Sequence, residues 1–154
     1  MNPPVFPLTA LLQHSTWLLP LVKTLHLWGI VFMVGSVIMF DLRVLGLAKT
    51  LSVRALARFL LPISVAAVFI VIPSGVVLLA AHPNELLANR LFTIKLGLIF
   101  LSACNALAFH TGPYTTVAQW DSAAPAPLSA KLFTGLSILL WLAVILCGRT
   151  LAFT

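Results

Sequence analysis

Five polar side chains sit where the sequence is otherwise apolar: Lys23, His26, Lys95, His110 and the uncharged Asn105. Holding an ionisable group at the centre of a bilayer costs roughly 2.5–3.5 kcal/mol on insertion scales, so such groups are the first pointers to function. An imidazole in apolar surroundings has two ordinary uses. It can hydrogen-bond a hydroxyl or a backbone carbonyl of a neighbouring segment, and Ser74 and Thr24 are available to His26. It can also ligate the iron of a b-type haem, which commonly takes an axial His. Haem propionates are anionic and require Lys or Arg nearby. On that reading His26 holds the iron of haem b, Lys95 is a second ligand or a propionate partner, and Lys23 and Arg90 serve the anionic groups.

Depth follows from the rise of a helix. At about 1.5 Å per residue, His26 falls roughly 3–5 Å from the midplane of its span, and Lys95 roughly 7–8 Å from the midplane of a later antiparallel span, on the same side. The two meet if those spans are neighbours, with Lys23 one turn from His26 on the same face. His110 falls roughly 15 Å to the other side, level with Asp41 and Arg43. A polar cluster of Asp41, Arg43, Asn105 and His110 is expected there. Its plainest role is structural, an ion pair and hydrogen bonds that tie the two spans together. His26 and His110 differ by roughly 18–20 Å in depth, which disfavours one iron held between them. His14 and His82 fall near one surface, and two imidazoles suit zinc or copper, but no thiol or carboxylate stands at helpful spacing. No G-x-S-x-G, P-loop or carboxylate pair supports hydrolytic chemistry.

The segments that must position these groups are apolar runs at about 17–40, 59–81, 90–110 and 131–153. Each is too long for a buried strand, so the expected class is all-α, an integral-membrane four-helix bundle forming a single domain. The first run is expected to end at the charged turn Asp41-Leu42-Arg43, the second at His82-Pro83-Asn84 and the third at Thr111-Gly112-Pro113. A polar linker with Ser122, Pro125, Pro127 and Ser129 precedes the fourth. The first sixteen residues suit either a short interfacial helix or an irregular tail, with Trp17 as an interfacial anchor and Pro20 bending the chain into the first span. No basic stretch and cleavage site precede that span, so no cleaved signal peptide is expected. Gly29, Gly35, Gly75 and Gly97 let helices approach closely, or leave room for a flat cofactor beside a histidine.

Composition agrees. Of 154 residues, 61% are hydrophobic and 8% charged, against about 25% charged in a soluble domain. An ordinary soluble globule, a disordered chain and a coiled coil are excluded. The net charge of +6 comes from nine Lys/Arg against three acids, with no basic run interleaved with aromatics, so nucleic acid is not an expected partner. The charge reads instead as a topology signal. Arg43, Lys49, Arg54, Arg58 and Lys131 flank the first and third loops. That bias puts those loops in the cytoplasm and both termini in the periplasm of a bacterial inner membrane. Cys104 and Cys147 lie in apolar runs, show neither CxxC nor zinc spacing, and read as packing residues.

The stretches LHLWGIVFMVGSVIMFDLRVLG and HPNELLANRLFTIKLGLIFLSACNALAFH resemble an uncharacterised family of bacterial four-helix integral membrane proteins. The family pattern H-x-x-G, D-L-R-x-x-G, P, N, F-x-x-K and N-x-x-x-F-H falls on His26, Gly29, Asp41, Leu42, Arg43, Gly46, Pro83, Asn89, Phe92, Lys95, Asn105, Phe109 and His110. More distantly, His and Gly in the first span, Gly in the second and Lys in the third are similar to the haem-containing four-helix protoporphyrinogen oxidases and to copper-resistance D-type membrane domains. That likeness implies functional roles for His26 and Lys95. The leading expectation is an inner-membrane protein that binds one b-type haem between its helices and acts in membrane redox chemistry and electron transfer. The alternatives are an accessory subunit of a larger membrane complex without its own cofactor, and a metal or small-solute transport protein. The expected partners are the lipid bilayer and other membrane subunits or further copies of the chain.

Overall fold

The computed structural model describes residues 15–122 and 124–151, and the described residues are helical with no strand. Four helices are long and apolar enough to cross a membrane. They are α1 (Leu18–Leu45), α2 (Val53–Ala81), α4 (Arg90–Thr111) and α5 (Leu128–Leu151). A one-and-a-half-turn helix, α3 (Pro83–Ala88), bridges α2 and α4, and a 3-10 helix (Pro113–Gln119) follows α4. The expected helix in the first sixteen residues, and His14, lie almost wholly outside the described residues.

Helix ends follow local chemistry. α1 does not stop at Asp41-Leu42-Arg43 as expected but runs on to Leu45, with Asp41 and Arg43 buried. Both side chains find polar surroundings inside the fold, so their charge does not break the helix. Gly46 ends it instead, in the left-handed region at φ 115°. Its N–H donates to the Arg43 carbonyl at 3.1 Å, and the Leu47 N–H to the Leu42 carbonyl at 3.0 Å. This is the pairing that closes a helix when a glycine can take positive φ. α2 begins six residues before the apolar run because Ser52 caps it, its hydroxyl accepting from the Ala55 N–H at 3.1 Å. In that added stretch Val53 and Ala57 turn inward while Arg54 and Arg58 stay exposed. Pro62 and Pro73 remain within α2, as prolines do in membrane helices.

α1 packs along α2 on one side and, over a shorter length, against α5 on the other; α4 packs along α5. α1 and α4, whose adjacency was the condition for His26 and Lys95 to meet, are not neighbours along their length, and α2 and α4 do not pack on each other either. The apolar core is concentrated at one end, where Phe40, Val44, Val53, Leu60, Phe109, Val117 and Trp120 are buried together. The 3-10 helix folds over this end. Elsewhere the outward faces carry large exposed apolar side chains such as Trp28, Phe59, Phe69, Phe100 and Leu139, as expected of surfaces suited to lipid.

A hydrogen-bonded clasp holds that end together. Arg43 reaches past the end of α1 and donates to the carbonyls of Leu51, Lys49 (3.2 Å) and Asp121 (2.9 Å). The Asp121 carboxylate accepts from the Ser52 hydroxyl (3.0 and 2.9 Å) and from the Arg54 N–H (2.9 Å). It therefore sits at the N-terminus of α2, where the helix dipole favours a negative charge. Partial desolvation pushes the Asp121 carboxyl up. The Arg54 and Val53 N–H groups, the Ser52 hydroxyl and the Arg54 charge outweigh it and hold the carboxyl below the usual value.

Candidate functional site

Two polar regions lie within the bundle, one in each half. The first is a notch on α2. Ser74 donates its hydroxyl proton to the carbonyl of Ile70 within its own helix, so its oxygen is left to accept. His26 Nδ1 lies 2.8 Å from that oxygen. The ring tautomer suited to this contact carries its proton on Nδ1 and leaves Nε2 bare. Gly75 makes the room: a Cβ there would stand 3.2 Å from His26 Cε1. One turn away, a Cβ on Gly29 would stand 2.7 Å from Val71 Cγ2, so α1 and α2 meet closely on both sides of the notch. Lys95 approaches from α4 and is near enough for its charge to act on His26. Its Nζ rests against α5, 3.6 Å from where a Gly148 Cβ would be. Lys23 and Arg90, expected to join this group, are exposed.

Donor chemistry at His26 suits an iron, because Nδ1 is oriented by a hydrogen bond and Nε2 is bare. Space is a different matter. Neither the cavity described below nor a shallow pocket at Ser129, Leu132, Phe133 and Leu136 touches His26, and its ring lies against the α2 notch.

The second region is a cavity of about 150 Å³ in the other half, lined by residues of all four long helices. Asp41 comes from α1, Ser64 from α2, Asn105, Phe109 and His110 from α4, and Phe133, Thr134 and Ser137 from α5. Since α2 and α4 do not pack on each other, this cavity occupies the space between the two helix pairs. Phe40 and Phe109 meet edge to face, with ring centres 5.8 Å apart, and Tyr114 packs on Phe109 and His110 at the closed end.

Three buried side-chain atoms among the described residues have no hydrogen-bond partner: Asp41 Oδ2, Asn105 Oδ1 and His110 Nε2. All three belong to residues that line this one cavity. The chemistry of each can be assigned from its other bonds. Asn105 Nδ2 donates to the Phe133 carbonyl at 3.0 Å, so Oδ1 is the free end and an acceptor. His110 Nδ1 lies 2.8 Å from the Ala106 carbonyl, which can only accept, so Nδ1 bears a proton. Ser36 and Thr134, which also line the cavity, donate to the Phe32 and Ala130 carbonyls of their own helices. Asp41 has the Ser137 hydroxyl as a side-chain partner. Asp41 is 4% exposed and Asn105 7%. A buried polar group left without a partner costs about 1–3 kcal/mol, and the three stand on residues around one cavity.

Of the expected cluster, the structure thus gathers Asp41, Asn105 and His110 around the cavity. Arg43 turns away to the clasp and makes its bonds to loop carbonyls, not to Asp41. The cavity hydroxyls were not among the expected residues, yet α5 carries a signal for them. Its buried positions Ala130, Thr134, Ser137, Leu140 and Val144 repeat at spacings of four and three, one inward stripe with two hydroxyls in it. His82 stands at the other end of the bundle, at the α2–α3 junction. No family model, curated protein or solved structure matches the chain.

Proposed function

We propose that the chain is a multi-pass bacterial inner-membrane protein, both termini periplasmic, that passes a small polar solute through the bundle by way of the Asp41–Asn105–His110 cavity. One observation carries the reading: the three residues that hold an unpartnered buried polar atom all line a single cavity between the four long helices. Ionisable groups at membrane depth that face a bundle interior mark substrate and ion pathways. A volume of about 150 Å³ is several times the roughly 30 Å³ share of one water, so a solute of a few heavy atoms fits.

The test is solute entry into proteoliposomes followed by stopped-flow light scattering. Formamide is expected to enter faster than into protein-free vesicles, and Ser64→Leu, which fills the cavity, is expected to abolish the difference. Equal rates with and without protein would contradict the reading.

A haem-binding redox protein stands as the second reading, on the observation that the Ser74 contact orients His26 and leaves Nε2 bare. His26 would hold the iron, with Lys95 beside it, and a bound haem would supply one-electron chemistry. The visible spectrum of detergent-purified protein decides it: a Soret band altered by His26→Ala supports haem, and a colourless protein excludes it.

A further inference from the structure

We infer that the cavity is a binding site for a small lipid-soluble phenol, a single aromatic ring carrying one hydroxyl, that enters sideways from the membrane. The inference rests on the membrane-spanning part of the reading above and does not depend on solute passage. Leu61 of α2 and Ala106 of α4 line the cavity and are also exposed. Because α2 and α4 do not pack on each other, the space opens between them onto the outer surface of the bundle. An occupant that comes through this opening comes from lipid.

Size and walls define the ring. The lining is mostly apolar, with Val37, Leu60 and Leu61 beside Phe40, Phe109 and Phe133. A dry cavity of about 150 Å³ with aliphatic and aromatic walls holds a benzene, and this one measures about 150 Å³. Aromatic rings prefer edge-to-face or offset contact. Phe40 and Phe109 already meet edge to face, and a guest ring extends that arrangement.

The hydroxyl follows from what the cavity leaves open. Asp41 Oδ2, Asn105 Oδ1 and His110 Nε2 are enclosed by protein and are not offered to a guest. Ser137 pairs with Asp41, and Ser36 and Thr134 donate to carbonyls of their own helices. Ser64 differs. It lines the cavity, is only half-buried and makes no hydrogen bond among the described residues, whereas Ser36, Ser74 and Ser102 each donate to the carbonyl four residues back. A serine hydroxyl both donates and accepts, so that of Ser64 pairs with a phenol hydroxyl in either direction. Few polar groups among apolar walls are the usual make-up of a small-molecule site.

Fluorine NMR of para-fluorophenol with the purified full-length chain in detergent tests this. Saturable binding is expected above the linear partition into protein-free micelles. It should be several-fold tighter than that of fluorobenzene, which has the ring without the hydroxyl. Ser64→Ala should bring the two ligands to equal affinity, and Ser64→Leu should abolish saturable binding of both. The comparison of the two ligands is read on the unaltered protein and does not depend on either variant folding. No saturable binding, or fluorobenzene binding as tightly as para-fluorophenol, overturns the assignment. If para-fluorophenol fails to bind while formamide entry remains sensitive to Ser64→Leu, the phenol site is wrong and the solute reading stands. If para-fluorophenol binds as expected while formamide enters no faster than into protein-free vesicles, the solute reading fails and the phenol site stands.

Discussion

The two polar regions treat hydrogen bonds in opposite ways. At the α2 notch, the His26 ring is matched: Nδ1 meets Ser74 at 2.8 Å, and Gly75 leaves just enough room for the imidazole. At the cavity, Asp41, Asn105 and His110 each present an atom with no partner. Both regions are membrane-depth polar groups in an apolar chain, and residue type alone does not separate them. The difference lies in what faces them. A notch in a neighbouring helix fixes a side chain in place, whereas a space between helix pairs keeps it available. Each histidine bonds through Nδ1, His26 across to Ser74 of a neighbouring helix and His110 back to Ala106 of its own.

Substitutions can break this comparison. The largest effect on stability is expected at neither region but at the clasp that closes the cavity end. Arg43→Ala removes three hydrogen bonds to carbonyls and should cost about 2–4 kcal/mol, measured by thermal unfolding in detergent. Gly29→Ala comes next. Its Cβ would meet Val71 Cγ2 at 2.7 Å, and forcing α1 from α2 should cost about 1–3 kcal/mol.

The clasp also predicts a pH effect. The Asp121 carboxyl is lower in the folded protein than in the unfolded chain. Its contribution is therefore fully present above the unfolded value of about 3.9 and is lost as pH falls through the lower folded value. Asp121→Asn should flatten that part of the acid-unfolding curve, read by Trp120 fluorescence.

The smaller effects sharpen the contrast between the regions. Ser74→Ala deprives His26 Nδ1 of its partner and should cost about 1 kcal/mol, in line with interhelical hydrogen bonds in membrane proteins. Asp41→Asn, at a carboxyl with an already unpartnered oxygen, should change stability by less than about 0.5 kcal/mol. A large loss in Asp41→Asn would show that Asp41 is a structural lock.

Much of the fold was legible in the sequence because long apolar runs have few alternatives. The four long helices and the stop near His82 and Pro83 follow from residue type and spacing, and Ser74 was one of two hydroxyls open to His26. The ends of α1 and α2 were not legible. Asp41-Leu42-Arg43 reads as a turn only if its charges need water, and here one enters the cavity and the other the clasp. Helix adjacency was not legible either. Depth arithmetic places Lys95 and His26 at similar levels but says nothing about which helices touch, and α1 packs on α2 and α5. The cavity itself is a product of that arrangement. Asp41, Asn105 and His110 were visible as a group, but their unpaired state depends on Arg43 turning away and on α2 and α4 standing apart.

Formamide entry, measured side by side for the unaltered chain, Ser74→Ala and Ser64→Leu, tests the central distinction most directly. The unaltered chain and Ser74→Ala should both pass formamide faster than protein-free vesicles, and Ser64→Leu should not. Three rates equal to that of empty vesicles, or a Ser64→Leu rate matching the unaltered chain, would contradict the account.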